Sequence, residues 1–151
     1  MRLRRFCCAW ILASIGIAAM GSAALSLPNQ LKVQVKGLKA TRGNICYSLF
    51  ASAKGFPSSA QRAVRATCLP VAARQSAIAF RDLKPGTYAV AVFHDVNNDG
   101  RLNRNGLGIP TEGFGFSQNP GIVSGPPKFM DAAFFVLGSQ NDIQIELKHI
   151  L

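Results

Sequence analysis

In the segment HDVNNDGRLNRN, Asp95, Asn97, Asp99 and Asn103 stand at even spacings around Gly100. Short oxygen-bearing side chains in that pattern are what a calcium ion requires. An EF-hand-like loop supplies hard oxygen ligands from its first, third, fifth, seventh and ninth positions, with Gly at the sixth to permit the sharp turn. Counted from Asp95, those positions hold Asp95, Asn97, Asp99, the Arg101 carbonyl and Asn103, and Gly100 falls sixth. The match ends at the twelfth position, where Gly106 replaces the bidentate carboxylate, and no long helix-forming segment precedes the loop. A site with only the Asp95 and Asp99 charges binds calcium weakly unless Glu112 or Asp131 folds back onto it. Asx residues and Gly are also the commonest makers of tight turns, so a polar turn without an ion stands as the alternative.

Two further side chains near this loop carry chemistry. His94 is a poor calcium ligand, and its position at the end of an apolar run predicts a hydrogen bond to loop backbone. Glu112, in IPTEGFGFS, has three roles open to it: capping backbone amides, completing the ion site, or serving as an acid or base. An enzyme reading therefore uses Glu112 and His94 beneath a Gly-rich cover. Against it, the chain has no nucleophile elbow, no HExxH zinc pair and no phosphate loop.

The elements that must hold this loop follow a period of two. In LKVQVKGL, Leu31, Val33 and Val35 alternate with Lys32, Gln34 and Lys36, as a strand with one wet face requires. NICYSLF from Asn44 to Phe50 is a second strand. AIAFRDL (Ala77 to Leu83) leads through Lys84, Pro85 and Gly86 into TYAVAVFHD, which predicts a hairpin closed by a type II turn. KFMDAAFFVLG and DIQIELKHI supply two more strands. From Phe56 to Ala73 the pattern weakens, and Ser58 to Ala66 reads as a short helix capped by Ser58 or Ser59. The stretch from His94 to about Lys128 is a long Gly- and Pro-rich loop, a length usually associated with function or mobility. The prediction is an all-β, antiparallel two-layer β-sandwich of prealbumin-like or Ig-like Greek-key type, with at most one short helix.

The N-terminus sets the compartment. Arg2, Arg4 and Arg5 precede an apolar run from Phe6 to about Ala19, followed by Gly21, Ser22, Ala23 and Ala24, the order of a secretory signal. Residues 1–26 are expected to be removed, leaving 27–151 as a single β-sandwich domain; an uncleaved membrane anchor is the competing reading. Removing three of the 17 basic residues and none of the seven acidic ones lowers the net charge from +10 to +7. The remaining Lys and Arg are scattered without the clustering of a nucleic-acid surface. Cys46 and Cys68 are then the only cysteines, and a lone pair in an oxidising compartment reads as a disulfide.

The combination of FRDLKPGTYAVAVFHDVNNDGRLNRNGLGIPTEGFGFS with LKVQVKGL and GNICYSLFAS before it and PKFMDAAFFV after it resembles the bacterial family catalogued as domain of unknown function 2141. The resemblance covers about residues 30 to 149 and implies an exported single-domain β protein of unassigned role. DLKPGTYAVAVFHDVNNDG also resembles, more weakly, the strand-turn-strand of transthyretin-like and Cna-B-like modules, which implies non-catalytic support or adhesion. The expectation is a secreted or periplasmic monomer that binds an envelope or extracellular partner or supports the cell envelope. It takes no cofactor except calcium, contacts no nucleic acid and keeps no membrane span once its signal is gone.

Overall fold

A computed structural model describes residues 28–151 apart from Ser124; the expected signal segment, residues 1–26, lies outside the described residues. Among the described residues, eight strands form two sheets. They are β1 (Asn29–Lys36), β2 (Asn44–Phe50), β3 (Arg65–Pro70), β4 (Ser76–Leu83), β5 (Gly86–Asp95), β6 (Phe114–Phe116), β7 (Phe134–Val136) and β8 (Asn141–Glu146), with one helical turn, α1 (Phe129–Ala132), before β7. One sheet has the order β4-β1-β8 and the other β3-β2-β5-β6, with β7 also on β5. Every pairing is antiparallel except β1 with β8, which is parallel. The architecture is an all-β sandwich, with that one parallel pair as a departure from the purely antiparallel expectation.

The alternation in β1 does what its period requires. Leu31, Val33 and Val35 are fully buried, whereas Lys32 and Lys36 are exposed. They meet Ile45, Tyr47 and Leu49 of β2, Val90 and Val92 of β5 and Ile145 of β8 in the core between the sheets. Full burial of one such aliphatic side chain contributes about 1.5–3 kcal/mol, so this layer carries most of the fold's driving force. The other face of the β2–β5 sheet is also covered. Phe50, Ala89, Ala91, Phe114, Phe116 and Phe129 form a second apolar cluster there. Phe56 packs edge-on against Phe50, with ring centroids 5.4 Å apart, and against Phe129 at 5.9 Å. Buried Ser117 ties this layer together: its Oγ accepts the Val90 N–H at 2.9 Å and donates to the Ala132 carbonyl.

Three local expectations are corrected. β4 and β5 are not a hairpin: β4 pairs with β1 and β5 with β2, so the Lys84–Pro85 connection crosses between sheets. Gly86 also lies outside the left-handed region that a type II turn needs at its third position. Each strand has an apolar face, and placing them in opposite sheets lets Phe80 and Val90 join one core. The helix expected over Ser58 to Ala66 is only a 3-10 turn at Ala60–Arg62, and Ser59 makes no side-chain cap bond. β3 follows it, an exposed strand without apolar alternation that is placed by its register on β2. Finally, KFMDAAFFVLG breaks into α1 and β7, and Asp131 accepts the Lys128 N–H at 2.8 Å as the helix begins.

Candidate functional site

β5 ends at Asp95, which hangs the loop directly on the central strand of the five-stranded sheet. Asp95 is 1% exposed, and its Oδ1 accepts the Asp99 N–H at 3.1 Å while Oδ2 accepts the Gly100 N–H at 2.8 Å. The carboxylate thus folds the next five residues around itself. Asn98 and Gly100 take positive φ, +62° and +75°, where Gly has no steric cost and Asn is tolerated. Asn98 Oδ1 also accepts a 2.7 Å bond from Asn44 Nδ2, at the start of β2.

Glu112 closes the loop from the other end. Its Oε1 accepts the Val96 N–H and its Oε2 the Asn103 N–H, both at 2.9 Å. The Asn103 carbonyl accepts from Thr111 N at 2.9 Å. Of the three roles open to Glu112, capping backbone amides is the one its hydrogen bonds display. Beyond Asn103 the chain makes a small hairpin in which Arg104 bridges Pro110 and Asn105 Oδ1 accepts the Leu107 and Ile109 N–H groups at 3.0 Å each.

The remaining oxygen-bearing side chains gather on Asp99. Its exposed carboxylate receives Asn97 Nδ2 at 3.0 Å, Asn103 Nδ2 at 2.9 Å and the Arg101 N–H at 2.9 Å. The Asn103 and Asn97 amides hold its carboxyl below the usual carboxylate value of 3.8. Asn103 Oδ1 is buried without a hydrogen-bond partner. Asp95, Asn97, Asp99 and Asn103 are therefore brought into one hydrogen-bonded turn, while Arg101 contributes its N–H to that turn. Asp131 is engaged at α1.

His94 is 1% exposed and turns the other way. Its Nε2 lies 2.8 Å from the Arg42 carbonyl, in the β1–β2 connection. A carbonyl only accepts, so the proton sits on Nε2. The expected bond to backbone exists, with Arg42 as its partner in place of the loop that follows β5.

Beside the loop is a feature that the reading of the sequence did not single out. A cleft of about 830 Å³ opens over the outer face of the second sheet. Its floor includes Ser48, Ala91, Phe93 and Phe116, and its walls come from the 3-10 turn, the Gly100–Pro110 segment, Ile122, Val123, Gly125, Pro126 and Ile150. Among its described lining residues are Arg101 and Arg104 but no Asp, Glu or His. The signal was present in β5: TYAVAVFHD is apolar at consecutive positions, as a strand covered on both faces requires. Cys46 and Cys68 stand directly opposite each other in the β2–β3 register and form a disulfide, with Cα atoms 4.0 Å apart. That bond fixes the strand leaving the 3-10 turn to the sheet.

Fold and site together define a small all-β sandwich with a carboxylate-clamped loop beside a cleft of mixed apolar and polar lining. Residues 33–144 match the bacterial family described as "Uncharacterized protein conserved in bacteria", domain of unknown function 2141, and the chain belongs to it. No curated protein and no solved structure matches the chain, and the weaker likeness to transthyretin-like and Cna-B-like modules is not shown.

Proposed function

We propose that this protein is an exported, non-catalytic binding module of the cell envelope, with the cleft beside the Asp95 to Glu112 loop as its ligand face. The observation that carries this reading is the division of roles around the loop. Asp95, Glu112 and His94 all hold backbone groups, whereas the adjoining surface is a concave cleft in which apolar side chains stand beside Ser48, Gln61 and two arginines. A general acid or base must reach the proton it transfers; both Glu112 oxygens already face N–H groups, and neither Glu112 nor His94 lines the cleft. Ligand sites are typically clefts of about 300–1,000 Å³, a range that includes this one.

Export is supported by the arginine-led apolar N-terminus and by the Cys46–Cys68 disulfide, which suits an oxidising compartment. Among the described residues no helix is long and apolar enough to cross a membrane. The deciding experiment is native mass spectrometry of protein isolated from the exported fraction. The expected result is a processed N-terminus and a bound small molecule that organic extraction removes. An unprocessed chain without any such adduct, whose cleft signals in NMR ignore apolar probes, rejects the reading.

The same loop, on this reading, has a weak capacity for calcium. Support comes from the exposed Asp99 carboxylate and the unpartnered Asn103 Oδ1. Calcium requires oxygens, so the Asn97 and Asn103 amides must give up their N–H bonds to Asp99 and turn their oxygens inward. That exchange, with Gly106 in place of a bidentate carboxylate, keeps the affinity low.

A further inference from the structure

We propose that the cleft's ligand is a single-chain amphipathic anion, in its simplest form an alkyl carboxylate, whose chain lies over Ala91, Phe93 and Phe116 and whose head group meets Arg104. This rests on the reading of the cleft as the ligand face and adds the class of molecule. The lining combines apolar side chains with Ser48, Ser58, Gln61 and two arginines; Leu102 and Ile122 pack against the Phe-rich sheet surface, and Ile109 adds to the apolar wall. Val123 and Ile150 line it while remaining 97% and 51% exposed, so apolar surface is left that an alkyl chain would remove from water.

The charge at the cleft is of one sign. Arg101 and Arg104 are its only ionisable lining residues among those described. Arg101 follows the Asp99 carboxylate by two positions and its charge acts on that carboxylate, so part of its field is matched. Arg104 is the stronger anchor. Its Nη1 donates to the Gly108 carbonyl at 2.8 Å, which orients the guanidinium on the small hairpin. A guanidinium has about five N–H donors in a fork that suits a carboxylate, so it can hold the Gly108 carbonyl and an anion together. A cationic amphiphile is repelled by this arrangement, and a neutral one forms no ion pair with it.

The test uses the chain as the expressing cell delivers it, titrated with laurate, dodecanol and dodecyltrimethylammonium below their aggregation limits. NMR shifts and displacement of a fluorescent apolar probe provide the readouts. Laurate is expected to bind at least tenfold more tightly than the other two and to shift Phe93, Phe114 and Phe116. Arg104→Gln is expected to weaken laurate about tenfold, the loss of one charge-assisted contact, and to leave dodecanol unchanged; Arg104→Lys keeps most of the affinity. Ala91→Phe, checked for an unchanged melt, fills the floor and weakens laurate and dodecanol alike. Arg104→Gln lies on an exposed hairpin and tests the anion even if Ala91→Phe fails to fold.

Equal binding of all three amphiphiles at the cleft overturns the anion assignment and leaves the cleft as a binding face. Binding of laurate that ignores both variants, or attachment only to anionic phospholipid vesicles with no shift from monomeric laurate, overturns the proposal. No shift at the cleft with any probe overturns both this proposal and the reading beneath it.

Discussion

Asp95 and Glu112 bury their carboxylates, 1% and 8% exposed, in the same turn, and each engages both of its oxygens with backbone N–H groups. Asp95 folds the near end onto β5, and Glu112 joins Val96 to Asn103. Hydrogen bonds to charged groups contribute about 1.5–3 kcal/mol each. Glu112→Gln puts an amide donor where an acceptor stood, against a backbone donor. It is expected to cost about 1.5–3 kcal/mol and to speed hydrogen exchange at Val96 or Asn103. Unchanged exchange at both amides would show that the clamp is not what orders the loop.

Two glycines near the clamp separate backbone conformation from close approach. Gly43 (φ +78°) and Gly100 (φ +75°) both occupy the left-handed region, but a Cβ on Gly43 would run into the Asp95 carbonyl, whereas one on Gly100 meets open space. Gly100→Ala is expected to cost about 1 kcal/mol. Gly43→Ala is expected to cost more, since β2 must move away from the end of β5. Denaturant melts of the two variants check the order.

The Cys46–Cys68 bond closes 22 positions of chain that include the 3-10 turn. The chain-entropy account gives roughly 3 kcal/mol for a loop of this size. The Cys46→Ser, Cys68→Ser pair is expected to lose about that much and to loosen β3 first, because β3 has little buried surface of its own. Hydrogen exchange resolved by strand gives the readout; uniform loosening of both sheets would contradict it.

Tyr47 is buried and donates to Ser76 Oγ at 2.8 Å, and burial raises its pKa above the ordinary 10.0 although the Ser76 bond acts in the opposite direction. A raised native value favours the neutral phenol in the fold. Its contribution is whole below the unfolded value and is lost as pH rises from about 10 through the native value. The melting temperature is therefore expected to fall above pH 10 in the wild type, and less steeply in Tyr47→Phe. Parallel declines in the two proteins would remove Tyr47 as a cause.

Calcium is expected to bind with a dissociation constant near 0.1 to 1 mM, roughly the range of extracellular modules. Ten times that constant stabilises the native state by about 1.4 kcal/mol. Thermal melts with calcium and with chelator check this, using the wild type and the Asp95→Ala, Asp99→Ala double variant. A wild-type melt that calcium leaves unmoved, or an equal shift in the double variant, makes the loop a turn only.

Where side chains alternate or local turn chemistry dominates, the sequence was sufficient. The period of two in Leu31 to Lys36 defines β1 and its wet face, and Asn44 to Phe50 is β2 from end to end. Asp95, Asn97, Asp99 and Gly100 announce a tight oxygen-lined turn because Asx side chains act on backbone only a few residues away. Pairing was not legible. Lys84, Pro85 and Gly86 look like a hairpin turn, yet whether β4 and β5 pair side by side or meet across the core depends on strands remote in sequence. β3 was hidden because an exposed edge strand needs no apolar pattern of its own.

The sequence by itself thus determined the sandwich class, the disulfide's two cysteines and the polar turn after β5, since each rests on local spacing or composition. Only the tertiary structure decided what that turn is attached to and what it walls off. Glu112 returns to Val96 and Asn103, His94 turns to Arg42, and three separate connections and the segment after β8 converge over Ala91 and Phe93. These are relationships between segments that become neighbours only when two sheets close on one core. A Phe that borders a cleft has the same hydrophobicity as a Phe buried in the core, so composition alone does not distinguish them.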